Sequence, residues 1–388
     1  TLFRSKTGAI LEVTAEGINA GNNLVKGNSS NLTLGFEDTP KQWPAWNLKE
    51  EYWKHPVNLP NDKDVKIEVI ENGPVFATIA VTRTLGISPV TQKITLFTGC
   101  EEIFFEYLTD WKQPEVMLKV MYSTATEADN SVADIVYGAI TRKTKPEVPC
   151  DKARYEKICH KYFDLSTPSN EWGVALLNEG KYAFDTDGGD FRLTMLRSPT
   201  YPGASGESWV HKERAMNLEK YNHNVPKYTG LGPFKCKYAL LAHKGGTLID
   251  AKGNPNGRVK RAADEFNEPV VVISASKFID ANSLPHKELL GTPLLTIMTP
   301  NVYLGTLKFN EWEKTGSIII RMVESSGMAS TANVKINSVF CQRIKSIQAV
   351  DLLERPIDFQ FNWDPAQGLL KFDIKKFEIG RASCRERV

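Results

Sequence analysis

The side chains that most often carry chemistry are present in this 388-residue chain, but they do not assemble into a catalytic pattern. Its six histidines are His55, His160, His211, His223, His243 and His286, and none begins a His-x-Asp. No His-Glu-x-x-His, Cys-x-x-Cys or carboxylate-rich calcium loop occurs either, so the sequence offers no metal centre of its own. Gly203-Ala-Ser-Gly206 and Ser208 fail to complete Gly-x-Ser-x-Gly, which removes the strained turn a serine hydrolase needs. Glu101 and Glu102 are adjacent beside a predicted strand, where alternation sends them to opposite faces rather than to one substrate. Gly188-Gly189 follows Asp187 and fits a hairpin turn, since a phosphate cradle would require a helix next and a strand follows instead. Trp43 and Trp46 have the flat apolar faces that stack on sugars, although aromatics beside prolines such as Pro40 and Pro44 more often plug a core or a domain interface. Trp209 is a further aromatic platform of the same type.

The elements that would position these residues read mostly at period two, which places one strand face on a core and the other in water. Val65–Ile70, Val75–Leu85, Val90–Phe97, Ile103–Tyr107 and Val116–Tyr122 alternate clearly. Further strands are expected at 172–178, 191–197, 235–242, 270–275, 302–309, 317–324, 332–350 and 368–377. Helical spacing is confined to insertions, at Trp209–Tyr221 and Arg258–Phe266. The fold class is therefore all-β: a large antiparallel supersandwich over 6–265, then a smaller β-sandwich over 266–377, with few short helices. The polar turn Gly253-Asn-Pro-Asn-Gly257 precedes that junction.

Trp172-Gly-Val-Ala-Leu-Leu-Asn178, Lys181-Tyr182, Leu196-Arg-Ser-Pro199 and Tyr238-Ala-Leu240 occur in that order. Upstream stand Asp38-Thr-Pro40 with Trp43 and Trp46, Tyr137-Gly-Ala-Ile-Thr-Arg142, Asp151-Lys-Ala-Arg-Tyr-Glu156 and His160-Lys-Tyr-Phe-Asp164-Leu-Ser166. This colinear series resembles the carboxyl-terminal half of the α-mannosidases of glycoside hydrolase family 38. The match slips where Pro44 and Asn47 replace two aspartates, where Gly203 replaces another, and where Phe234 and Cys236 replace a histidine and a phenylalanine. The resemblance implies a retaining, metal-dependent enzyme hydrolysing terminal α-linked mannose. Its nucleophile, acid/base group and zinc (or other divalent metal) would all belong to an N-terminal catalytic barrel of the same polypeptide. It also implies that this chain binds no metal and is inactive alone. Arg197 through Tyr201 resembles the segment that leans against the barrel's active-site mouth, so Arg197, Tyr201 and Trp46 are the candidate substrate contacts. Arg197 would aim its planar fork of donors at sugar hydroxyls or a barrel carboxylate, or else pair with a structural carboxylate. The alternative function is a non-catalytic carbohydrate-binding or structural β-sandwich module.

Residues 1–5 and 378–388 match what sequencing-adaptor DNA encodes, and both ends are expected to be foreign to the natural frame. Without them the net charge of +2 falls to about 0 or −1, which gives no case for nucleic acid or an anionic membrane as partner. No apolar run approaches the ~20 residues that span a bilayer. Cys100, Cys150, Cys159, Cys236 and Cys341 are irregularly spaced, as reduced thiols in a cytoplasmic protein would be. The expected partners are the catalytic barrel, a mannoside or glycan and, by family habit, a second copy in a homo-oligomer. The sequons at Asn28 and Asn31 would matter only in a secreted protein.

Overall fold

The computed structural model describes residues 2–3, 7–27, 30–201, 226–272, 291–312 and 316–386. Strands dominate, as the period-two pattern requires, and the chain separates into two compact units, 1–133 with 141–246 and 134–140 with 247–388. The expected helix at Trp209–Tyr221, together with Trp209, Gly203, His211, His223 and His286, lies outside the described residues.

The first unit is built on two antiparallel sheets. One has nine strands, with Trp172–Asn178, Gly232–Lys244, Glu102–Trp111, Ser88–Phe97 and Phe76–Leu85 consecutive across its middle. All seven residues of Trp172–Asn178 are buried, so this strand reads as a near-continuous apolar run rather than an alternation. The other sheet has six strands in the order Lys157–Ile158, Ala183–Asp187, Asp190–Arg197, Val116–Ser123, Leu32–Glu37 and Pro56–Val57. Aromatic rings from the two sheets interleave: Phe163 stacks on Phe184 at 4.1 Å, and Phe105 meets Tyr122 edge-on at 6.0 Å. Asn31 is buried within this core, where its Oδ1 accepts from Tyr122, Tyr238 and Gln92. The Asn31 sequon is thus a packing element, with no surface for a glycan.

The second unit holds two four-stranded sheets around Val302, Ile320, Met322, Val334, Leu370 and Phe372. Strand Ile379–Glu386 fills a place between Ile318–Glu324 and Ile344–Ala349 through backbone pairing, which many sequences can supply. The long strand expected at 332–350 is instead Ser330–Ile336 and Ile344–Ala349, separated by a helical turn at Ser338–Cys341. Asn337 makes that break, because its side chain caps the turn by accepting from the Val339 backbone N–H at 2.9 Å. The second compact unit takes up the chain from residue 247 onward. The polar turn lies inside the second unit because helix Arg258–Asn267 buries Val259, Ala262 and Ala263 there, with the Lys260 ammonium 4.0 Å from the Tyr303 ring centroid.

Candidate functional site

Strands Leu32–Glu37 and Asp190–Arg197 flank Val116–Ser123 on opposite sides, and both run antiparallel to it. Register pairs Glu37 with Val116 and Arg197 with Met117, so both outer strands end at the same edge of the sheet. Their ends lie two inter-strand steps apart, roughly 10 Å, a span that an arginine and an aspartate together can close. Arg197 closes it with Nε donating to Asp38 Oδ2 at 2.9 Å and Nη2 to Asp38 Oδ1 at 2.6 Å. Asp38 is only 2% exposed, which makes this a bidentate, largely desolvated ion pair.

The same guanidinium also fixes the loop that follows Asp38. Nη2 donates to the carbonyls of Pro44 and Asn47 at 2.9 and 2.7 Å. The amides of Trp46 and Asn47 both donate to the Trp43 carbonyl at 2.8 Å, and Trp43 adopts a φ of 57° to make that tight turn. The outcome is a braced loop with Trp43 partly exposed and Trp46 83% exposed. Arg197 is held in turn from its C-terminal side. Buried Ser198 donates to the Gln113 carbonyl at 2.8 Å and accepts from the Val116 amide at 3.1 Å. Gly230, at φ +66°, passes so close that an added Cβ would lie 2.0 Å from the Arg197 carbonyl oxygen.

The structure therefore brings Arg197 and the Trp43–Trp46 loop together at one sheet edge. Of the two roles expected for Arg197, the structural pairing occupies Nε and Nη2, and only Nη1 is left without a partner among the described residues. Tyr201 is half-buried and tied by its amide to the Lys227 carbonyl at 2.9 Å, and it makes no hydrogen bond to the Trp loop.

Farther along the same sheet lies a polar cluster that the sequence did not disclose. Lys119 is fully buried, with its ammonium bonded to Glu156 and, at 2.6 Å, to Asp185 Oδ2. Arg192 Nε donates to Asp185 Oδ1 at 2.6 Å, Thr194 to Glu156 Oε2 at 2.9 Å, and the Tyr52 hydroxyl lies 2.5 Å from each carboxylate. Burial opposes ionisation of Asp185, yet Lys119 and Arg192 outweigh it and hold its pKa below the ordinary value. Burial and both carboxylates push the Tyr52 phenol well up, so it stays protonated as a donor. Two carboxylates this close resemble a glycosidase pair only superficially. Their facing oxygens share the Lys119 ammonium and the Tyr52 hydroxyl, which fill the place a sugar carbon would need. Asp164 of the His-Lys-Tyr-Phe-Asp motif is spent in a similar way, on buried His243 at 2.9 Å and on Ser166.

Residues 2–205, more than half of the chain, match the Glycosyl hydrolases family 38 C-terminal domain, and residues 301–380 match that family's C-terminal beta sandwich domain. The chain belongs to glycoside hydrolase family 38. It is 31% identical to Alpha-mannosidase G of Dictyostelium discoideum over 91% of this chain and 29% of that protein. It is 24% identical to human Alpha-mannosidase 2C1 over 92% of this chain and 30% of that protein. An alpha-mannosidase of Enterococcus faecalis V583 shares the fold with a TM-score of 0.64 at 15% identity, covering 98% of this chain and 40% of that one. The chain thus spans less than a third of the length of the curated relatives it matches.

The metal on which such an enzyme would depend does not fit these residues. Among the described residues no group of three His, Cys, Asp or Glu side chains stands close enough to ligate an ion. Nor does any helix among them have the length and apolarity to cross a membrane.

Proposed function

We propose that this chain is the C-terminal β region of a retaining, metal-dependent α-mannosidase that releases terminal α-linked mannose, and that it has no activity by itself. The observation that carries the reading is family 38 membership at both ends of a chain whose close carboxylate pair is locked by Lys119 and Tyr52. A retaining glycosidase needs two carboxyl groups about 5 Å apart with open space between them for the anomeric carbon. In this reading both groups and the zinc belong to a catalytic barrel on the N-terminal side of the same polypeptide. The part played here is positional. The Asp38–Arg197 clamp holds the Trp43–Trp46 loop rigid, Trp46 offers an apolar face to the barrel or to the sugar, and Arg197 Nη1 keeps a donor for an acceptor from outside. Tyr201, on the segment after Arg197, is assigned to the same rim. Free cysteines at irregular spacing favour the cytoplasm as its compartment.

The test compares residues 6–377 alone with the same residues joined to their native upstream sequence, using an aryl α-mannoside with and without chelator. The reading expects turnover by the joined protein only, and loss of that turnover with chelator. Cleavage by the isolated piece overturns it. So does a folded joined protein that remains inactive with zinc or cobalt present, which would favour a carbohydrate-binding or structural module.

A further inference from the structure

Beside the locked cluster is a cavity of about 320 Å³ whose charges are not balanced. Its lining includes Trp53, Arg142, Lys145, Arg154, Tyr155 and Lys157. Lys157 is 8% exposed, and its ammonium donates to the Lys143 carbonyl at 2.7 Å and to the Thr186 hydroxyl, both neutral acceptors. Arg142 is half-buried and donates to the Ile158 carbonyl at 3.2 Å, again a neutral acceptor. Among the described residues no carboxylate lies within ion-pairing distance of either cation. Arg154 has only a long contact with Asp151, at 3.7 Å.

Two of the nearby carboxylates are already committed. Asp185 and Glu156 neutralise Lys119 and Arg192, which leaves Asp151 and Asp187 as the other acids on the cavity wall. Burial is the main cause pushing Lys157 down to about 8; Asp185 opposes the shift and Arg142 adds to it. Burial also lowers Arg142, and repulsion from Arg154 adds to that. Holding desolvated cations against one another costs free energy that a bound anion would offset. Arginine forks together with a lysine point charge match the oxygens of a phosphate group.

The aromatic part of the lining has a different chemistry. Trp53 and Tyr155 meet edge-to-face at 5.7 Å and 61°, giving a rigid aromatic surface beside the cations. Such a surface accepts the apolar face of a sugar ring. The volume lies at the lower end of the roughly 300–1,000 Å³ typical of ligand pockets, enough for one monosaccharide and too little for a branched glycan.

We propose that this cavity is a binding site for a hexose phosphate, with the phosphate held by Lys157, Arg142 and Arg154 and the sugar ring lying against Trp53 and Tyr155. The site is separate from the Arg197 edge and does not rest on the mannosidase reading.

Isothermal titration calorimetry of the 388-residue chain at low ionic strength tests it with three probes: mannose 6-phosphate, mannose and inorganic phosphate. Mannose 6-phosphate should bind more tightly than either of the others. Exposed Arg154→Gln and half-buried Arg142→Gln should each weaken it by about tenfold, the loss expected for one charge-assisted hydrogen bond. Trp53→Ala should weaken the sugar phosphate while leaving inorganic phosphate unchanged. No binding of mannose 6-phosphate at millimolar concentration, or binding indifferent to both arginine substitutions, overturns the site. Equal affinity for inorganic phosphate and the sugar phosphate overturns the assignment to a hexose phosphate.

Discussion

Replacing Arg197 with methionine keeps much of the side chain's apolar stem and removes every donor it contributes. Asp38 would then be a carboxylate with 2% exposure and no cation, a change that typically costs about 3–5 kcal/mol. The Arg197 side chain is 22% exposed, so water can reach the vacated place and the lower end of that range applies, about 3 kcal/mol. Of the two carbonyls that lose a donor, Asn47 recovers it from solvent, while the part-buried Pro44 adds about 1 kcal/mol. Arg197→Lys keeps the charge without the fork and should fall between wild type and Arg197→Met.

Urea unfolding followed by tryptophan fluorescence reads this directly, since Trp111 and Trp172 are buried in the same unit as the clamp. The decisive comparison is the double variant Asp38→Leu with Arg197→Met. Removing both charges should recover most of the single-variant loss, leaving about 1 kcal/mol for the untethered loop. A loss below about 1 kcal/mol for Arg197→Met, or a double variant equal to the sum of the singles, would refute the claim that Asp38 is desolvated and paired.

Lys119→Met should be among the most destabilising single changes, about 3–5 kcal/mol by the same unfolding assay, because it leaves Asp185 and Glu156 facing one another. Asp185 has a folded pKa below its unfolded value, so its contribution is fully present above the unfolded carboxylate pKa and is lost as the pH falls through the folded one. Denaturation midpoints from pH 6 downward should therefore drop more steeply in wild type than in Asp185→Asn; parallel curves would count against the assignment. Trp46→Ala should change the stability of this chain by less than about 0.5 kcal/mol because the ring is exposed. In the joined protein the same change should lower kcat/KM or loosen the barrel contact, and unaltered kinetics and stability there would remove Trp46 from the site.

What could be read from the sequence follows from how directly each feature is coded along the chain. Glu102–Trp111 and Ser88–Phe97 were legible because alternation is local. The break at Asn337 was not, since a capping side chain between two apolar runs does not alter their period. Lys119 shows the limit most clearly: in Val-Met-Leu-Lys-Val-Met-Tyr a lysine at an alternating position reads as solvent-facing. It is buried because carboxylates 37 and 66 residues away arrive beneath it. The motif residues behave alike. Asp38, Glu156 and Asp164 were visible in the sequence only as members of the motif series, and the fold commits each to a cation or a histidine. Sequence spacing alone could not separate these roles, because charge compensation depends on which strand ends meet. At the Arg197 edge, register across three strands brings Asp38 under the guanidinium from 159 residues away. At the Lys157 cavity the same sheet commits Asp185 to Lys119 and Arg192 and leaves more cations than acids on the wall. That difference in compensation, more than the identity of any one residue, separates a brace from a place where an anion can bind.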